Sequence, residues 1–154
     1  MGNSKVVVFS LNGNYYGVPV EQVLSIEKPE SLTRVPKAAP FIKGVVNLHG
    51  LILPVIDLQT RFGIGQTGCG EDSRLLVIQV DELKVAFIVD QAKDVLDIDE
   101  TTIESTPELI GGIQAAFIHG VAKTDHGLLI LLNLLNVLKK DDIDAVKELE
   151  VWDA

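Results

Sequence analysis

One glycine-rich stretch of this chain has the spacing of a phosphate-binding loop. Residues 63–70 read GIGQTGCG, and the first six match G-x-G-x-x-G. That spacing binds a dinucleotide pyrophosphate when a strand precedes the first glycine and a helix begins at the last. Here a helical turn is predicted over 58–62, and Glu71 and Asp72, which repel phosphate, follow the loop. We therefore interpret residues 64–72 as a flexible joint and predict no nucleotide cofactor.

The sequence predicts neither a metal site nor a catalytic nucleophile. His49, His119 and His126 do not form an H-x-x-x-H pattern, and a single cysteine, Cys69, builds neither a thiolate zinc site nor a disulfide. No G-x-S-x-G motif for a serine nucleophile is present. We predict no catalytic residue, no metal and no cofactor, with Cys69 as an exposed loop thiol.

Asp57 is the acidic residue whose position invites a role, because it directly follows an apolar run. An acid–base pair needs two titratable groups at working distance. The counterpart of Asp57 in the internal repeat described below is Asn133, which does not titrate. Both side chains have the oxygen that accepts a hydrogen bond from a free amide at a helix start. We predict that Asp57 and Asn133 are N-caps of short helical segments.

The charge distribution bears on the class of partner. The net charge of −9 is uneven: residues 1–66 hold six Lys/Arg against four Asp/Glu, and residues 67–154 hold seven against eighteen. An acidic half repels phosphate backbones, so we expect no nucleic-acid partner. Ordinary solubility and a protein partner that favours acidic surfaces both remain open. No apolar run reaches the ~20 residues that span a bilayer, so we expect a cytoplasmic protein without direct membrane insertion.

Most of the chain consists of short Val-, Ile- and Leu-rich runs separated by turn residues. This pattern indicates a mainly β sandwich or barrel rather than a doubly wound sheet, which needs long helices between strands. The segment VLSIEK, for example, alternates apolar and polar residues like a half-buried strand. The predicted strands cover 5–11, 15–20, 23–28, 43–48, 51–58, 74–80, 83–90, 92–98, 118–124 and 128–134.

The chain also contains an internal repeat. FIKGV at 41–45 returns as FIHGV at 117–121, 76 positions later, and Asp57-Leu58 returns as Asn133-Leu134. Two copies predict two similar barrels within one domain, approximately over 5–63 and 73–138. Apolar residues recur with helical spacing from about residue 133 into a tail over 139–154, and Trp152 lies close to the end of that tail. Whether strands are exchanged between the two lobes is left open.

Three segments resemble one protein family. TRVPKAAPFIKGVVNLHGLILPVIDLQTRFG (33–63), GNYYGVPVEQVLSIEK (13–28) and FIHGVAKTDHGLLILLNLLNVL (117–138) are similar to the bacterial chemotaxis coupling proteins, the CheW family. The resemblance implies two packed five-stranded SH3-like barrels with short helical segments and a C-terminal helix. It further implies a non-enzymatic adaptor that links the cytoplasmic tips of chemoreceptors to the regulatory domain of the histidine kinase CheA, in membrane-associated arrays.

The resemblance also supplies candidate receptor-binding residues. The family's receptor-side positions map onto Val23, Ser25, Gly44, His49 and Gly120. Many relatives have Arg where His49 stands and Glu where Ser25 stands, so a charged pair at this place is absent or replaced. For Gly44 and Gly120, the alternatives are close approach of another backbone and simple turn geometry.

Three alternatives to a chemotaxis adaptor stay open. One is a close variant, a CheW-like adaptor of another signalling array, such as one that controls pili. The other two belong to different functional classes: an enzyme that uses the Gly63–Gly68 loop, and a purely structural β protein.

Overall fold

The computed structural model describes residues 3–29, 32–35, 39–68, 70–104, 109–110, 113–125 and 127–138. These residues form twelve strands and two short α-helices. The strands are β1 (Asn3–Leu11), β2 (Asn14–Pro19), β3 (Val23–Glu27), β4 (Ile42–Leu48), β5 (Leu51–Asp57), β6 (Arg74–Val80), β7 (Leu83–Val89), β8 (Gln91–Asp99), β9 (Leu109–Ile110), β10 (Ile113–Gln114), β11 (Ile118–Thr124) and β12 (Gly127–Leu132). The helices are α1 (Leu58–Phe62) and α2 (Leu134–Val137).

Ten of these strands form two five-stranded sheets. The first sheet has the order β8-β1-β2-β12-β11, and the second has the order β3-β6-β7-β5-β4. Neighbouring strands are antiparallel except for the parallel pairs β2–β12 and β5–β7. Strands β9 and β10 form a separate two-stranded antiparallel sheet. The mainly β fold predicted from the short apolar runs is therefore confirmed.

The two sheets exchange strands across the joint. The first sheet takes β1 and β2 from before residue 64 and β8, β11 and β12 from after residue 72, and the second sheet takes the converse set. The predicted lobes over 5–63 and 73–138 therefore do not coincide with the sheets. The reason is that each N-terminal hairpin of a repeat pairs with the three later strands of the other repeat, the arrangement that the sequence left open.

The two sheets match strand by strand when they are written in these orders. In the second sheet Val55 lies opposite Ala86, and in the first sheet Leu131 lies opposite Gly17. Residues of β11 and β12 thus lie 76 positions after their counterparts in β4 and β5. Residues of β6 and β7 lie 69 positions after their counterparts in β1 and β2.

Each sheet is closed by one isolated bridge. Thr33, in the segment after edge strand β3, pairs with Val45 of the opposite edge strand β4. Glu104, in the segment after edge strand β8, pairs with Val121 of the opposite edge strand β11. Because each bridge joins the two edges of one sheet, both sheets curl into barrel-like units.

The side chains of the central strands are buried on both faces. Along β1, Val7, Phe9 and Leu11 enter a large core shared by the two sheets, whereas Val6 and Val8 enter a smaller core inside the first sheet. Strand β6 divides its side chains in the same way between the shared core and a core inside the second sheet. The period-2 alternation therefore separates two interiors here, instead of separating core from solvent.

Arg61 joins the two repeats on one side of the shared core. Its guanidinium carbon lies 5.4 Å from the ring centre of Phe41 and 4.7 Å from that of Phe117, which are equivalent residues of the repeat. Its Nε also donates a hydrogen bond of 3.1 Å to the carbonyl of Val137 in α2. One side chain of α1 thereby holds both repeats and the second helix together.

Some sequence predictions lie outside the described residues. These are the exposure of Cys69, the turn at His126 and the whole tail over 139–154, including Trp152. Within the described part, the helical segment that begins after Asn133 covers only Leu134–Val137.

Candidate protein-interaction surface

Edge strand β3 exposes its apolar residues. The side chains of Leu24 and Ile26 are 50% and 44% exposed, while Val23 on the other face packs against the shared core. The alternation in VLSIEK is present in the structure: Leu24 and Ile26 lie on the face of β3 that points outward, and β3 is an edge strand that pairs with β6. Exposed apolar residues on an edge strand are typical of a surface that another protein covers.

The same positions are apolar in the other sheet. Ile26 corresponds to Val95 of edge strand β8, which is 53% exposed. Ile52 at the start of β5 corresponds to Leu128 at the start of β12, and these are 40% and 52% exposed. We call these four residues the paired apolar positions. Each sheet therefore presents an apolar residue on an edge strand and another at the hairpin turn.

Ser25 and His49 lie at one end of the second sheet. His49 occupies the tight turn between β4 and β5 with φ of 54°, and its side chain is 80% exposed. Its Nε2 lies 3.6 Å from a carboxylate oxygen of Glu27, two residues beyond Ser25 on the same face of β3. From the sequence we expected the charged pair of many relatives to be absent or replaced here. In the structure His49 faces Glu27, and this contact is ionic only when the imidazole is protonated.

Gly44 and Gly120 are buried and contact the chain itself. A Cβ at Gly44 would clash with the carbonyl of Thr33, and a Cβ at Gly120 would clash with the side chain of Ile103. These neighbours belong to the two bridging segments that close the sheets. The chain segment that approaches each glycine is therefore internal, and Gly120 lies in the first sheet whereas Gly44 lies in the second.

Asp57 caps α1 and also anchors the loop after it. Its Oδ1 accepts hydrogen bonds from the amides of Gln59 (3.0 Å) and Thr60 (3.4 Å) and from the hydroxyl of Thr67 (2.8 Å). Its Oδ2 accepts from the amide of Thr67 at 2.9 Å. Asn133 caps α2 through one bond of 3.2 Å from the amide of Asn136. Because Thr67 is fully buried, the predicted joint is fixed at its midpoint.

The described residues contain no group of three or more His, Cys, Asp or Glu side chains placed to hold a metal ion. Among them there is also no helix of the length and apolarity that crossing a membrane requires. The glycine loop folds back on α1 instead of beginning a helix at Gly68.

Sequence reasoning missed the paired apolar positions. Their signal was available, because the offset of 76 relates the aliphatic residues at 52 and 128, which lie two positions and one position after a turn glycine. What the sequence did not reveal is which aliphatic side chains face outward, because that depends on how the strands pair and pack.

Comparison with known proteins agrees with this architecture. The family model described as "CheW-like domain" matches residues 5–142. The chain is 38% identical over 137 residues to the chemotaxis protein CheW of Bacillus subtilis, covering 89% of this chain and 88% of that protein. The crystal structure of the scaffolding protein TtCheW from Thermoanaerobacter tengcongensis superimposes with a TM-score of 0.82 at 39% identity, covering 92% of this chain and 91% of that one.

Proposed function

The chain belongs to the CheW-like domain family, and on this premise we propose that it is a non-enzymatic chemotaxis adaptor. In this role it couples the cytoplasmic tips of chemoreceptors to the regulatory domain of the histidine kinase CheA and joins the membrane-associated arrays that they build. The similarity to proteins named chemotaxis protein CheW and scaffolding protein CheW supports the adaptor role.

The observation that carries the proposal is the duplication of exposed apolar positions. An adaptor must contact at least two partners at once, and a duplicated fold provides two equivalent surfaces in one chain. Here Ile26 and Ile52 of one sheet and Val95 and Leu128 of the other supply those surfaces. Large exposed apolar side chains at equivalent places in two sheets are costly for solubility unless a partner covers them.

The corner formed by Ser25, Glu27 and His49 is the part of the second sheet that we assign to the receptor. It combines a half-buried hydroxyl, a carboxylate and an exposed imidazole, and Leu24 and Ile26 lie on the opposite face of the same edge strand. An edge strand with polar groups on one face and apolar groups on the other suits the amphipathic helices of a receptor tip, which bind through one apolar face.

Binding assays with purified components test the function. We expect the full chain to bind both a CheA regulatory domain and a chemoreceptor cytoplasmic fragment, and to increase control of the kinase by the receptor. Ile26→Glu and Val95→Glu each place a charge in an apolar surface and should weaken at least one of these complexes about tenfold or more. Lys123→Ala, an exposed change outside the paired positions, serves as the control.

Binding of neither partner by the wild-type chain would refute the adaptor role. Equal binding by wild type, Ile26→Glu and Val95→Glu would refute the paired apolar positions as the docking surfaces, even if the adaptor role holds. The close alternative, an adaptor of a pilus-controlling array, predicts binding to the kinase and receptor of that array and not to the chemotaxis pair.

A further inference from the structure

The first sheet has a cavity of about 200 Å³ near its β11–β12 turn. The floor of this cavity is apolar, because Val8 and Leu129, buried members of the core inside the first sheet, line it. Half-buried Leu96 adds a further apolar side chain. An apolar cavity of about 150 Å³ is large enough to bind benzene, so this one has room for a small organic molecule.

A β-bulge brings two opposite charges to the same cavity. The register between β1 and β8 shifts between Val7 and Phe9. Two residues of β8, Lys93 and Asp94, therefore lie opposite the single residue Val8. Successive residues of a regular strand point to opposite faces, and a bulge re-aims one of them. Both charged side chains consequently line the cavity, and both are exposed at its rim.

The charged pair is a feature of the first sheet and not of its counterpart. Edge strand β3 has a bulge at the equivalent place in the second sheet. There the offset of 69 puts Leu24 and Ser25, which carry no charge, at the positions of Lys93 and Asp94. The same backbone feature therefore presents different chemistry in the two sheets.

The first sheet also leaves open a space that the second sheet fills. Leu48 is half-buried and packs against the core inside the second sheet. The offset of 76 relates Leu48 to Thr124, a smaller residue that lines the cavity and whose hydroxyl donates a hydrogen bond of 2.8 Å to the carbonyl of Gly127.

An aromatic wall completes the cavity. The ring of Tyr15 lines it, and the Nζ of Lys93 lies 5.9 Å from the centre of that ring. The equivalent residue of the second sheet is Lys84. Space, an apolar floor, an aromatic wall and two opposite charges thus coincide at one place in the first sheet.

We propose that this cavity binds a small zwitterion with one apolar side chain, such as a free aliphatic amino acid. The ammonium of Lys93 attracts the carboxylate of the ligand, and the carboxylate of Asp94 attracts its ammonium. A ligand with a net charge would meet one rim group of like sign, whereas a zwitterion complements both. The apolar side chain covers Val8 and Leu129, and a few polar groups above an apolar lining are typical of small-molecule sites.

Isothermal titration calorimetry of the full-length chain with leucine tests the ligand class. Two smaller relatives of leucine are matched controls, because isocaproate lacks the ammonium and isopentylamine lacks the carboxylate. We expect each of them to bind at least about tenfold more weakly than leucine, since each leaves one rim charge without a partner.

Three variants test the location of the site. Thr124→Leu introduces the side chain that the second sheet has at this position and should abolish binding. Lys93→Gln should weaken leucine about tenfold without weakening isopentylamine, because only leucine offers a carboxylate to Lys93. Lys123→Ala changes an exposed neighbour that does not line the cavity and should bind leucine like the wild type. Circular dichroism checks that all three variants are folded.

Four outcomes would overturn the proposal. One is the absence of both binding heat and movement of the amide NMR signals of Tyr15 and Thr124 up to the solubility limit of leucine. Equal binding by the wild type and Thr124→Leu would place the ligand elsewhere. Equal affinity for leucine, isocaproate and isopentylamine would show that the rim charges recognise nothing. Movement of the two signals only after a kinase regulatory domain or a receptor fragment is added would assign the cavity to a side chain of a partner protein.

Discussion

Replacement of Asp57 by alanine should destabilise the protein much more than the equivalent change at Asn133. The two residues cap equivalent helices, so the chain offers its own matched control. Loss of an N-cap alone costs about 1 kcal/mol, which is the value we expect for Asn133→Ala with its single hydrogen bond.

The larger effect at Asp57 follows from its additional contacts. Its carboxylate is 3% exposed and accepts two further hydrogen bonds from Thr67, which is itself fully buried. A bond to a charged acceptor contributes about 1.5–3 kcal/mol, and removing the acceptor leaves a buried amide unsatisfied. We therefore expect Asp57→Ala to lower the free energy of unfolding by about 3 kcal/mol. Asp57→Asn retains the cap but turns an amide donor toward Thr67 or the helix start, so we expect an intermediate loss of about 2 kcal/mol.

Urea unfolding followed by circular dichroism measures all three variants, with the slope of the transition checked for constancy. Equal losses for Asp57→Ala and Asn133→Ala would show that the contacts to Thr67 contribute nothing beyond the cap. That result would refute our account of the joint as a fixed segment.

Three other predictions concern the same fold. Gly44→Ala should cost about 3 kcal/mol, because its Cβ would overlap the backbone carbonyl of Thr33. Gly120→Ala should cost less, about 2 kcal/mol, because its Cβ would overlap the Ile103 side chain and only approach the carbonyl of Glu104; urea unfolding that ranks the two variants the other way contradicts this. Burial raises the pKa of Tyr16 above 10.0. The nearby side chain of Asn14 lowers it in part, but the buried hydroxyl has no hydrogen bond of good geometry. The folded protein therefore keeps its full stability below pH 10 and loses stability as the pH rises through the raised pKa of Tyr16. Tyr16→Phe should reduce this loss in the free energy of unfolding, measured from about pH 9 to about pH 11. Arg61→Lys should lower the free energy of unfolding by about 1–2 kcal/mol, because an ammonium does not stack on two rings while donating to a helix carbonyl. An unchanged melting temperature would show that these contacts of Arg61 do not stabilise the fold.

Local structure was largely predictable from the sequence because its signals are local. The turn at Asn12-Gly13 and the apolar runs on either side specify the β1–β2 hairpin within a few residues. The side-chain oxygens of Asp57 and Asn133 likewise predict that a helix begins directly after each residue.

The pairing of the hairpins was not predictable in this way. A hairpin such as β1–β2 has the same alternation whether it joins the strands of its own repeat or those of the other. Only the packing of both repeats around the shared core decides the partner, and no short-range pattern encodes it. The outward position of Leu24 follows from that choice, as does the internal role of Gly44, so both were hidden from sequence reasoning.

The contacts of Thr67 within the joint were not predictable from composition. Glycines at 63, 65, 68 and 70 are typical of a mobile linker, and they do permit the left-handed backbone found at Gly63. One threonine among them nevertheless reaches a buried carboxylate and a buried amide. The composition of the stretch therefore masked the single residue that fixes it.

The exchange of hairpins also means that the connecting segment is not what keeps the halves of the molecule together. A proteolytic cut near residue 69 would yield two fragments, neither of which holds a complete sheet. Each fragment carries the strands that the other lacks, so the nicked pair should remain a single particle, and separately produced fragments should assemble only when mixed.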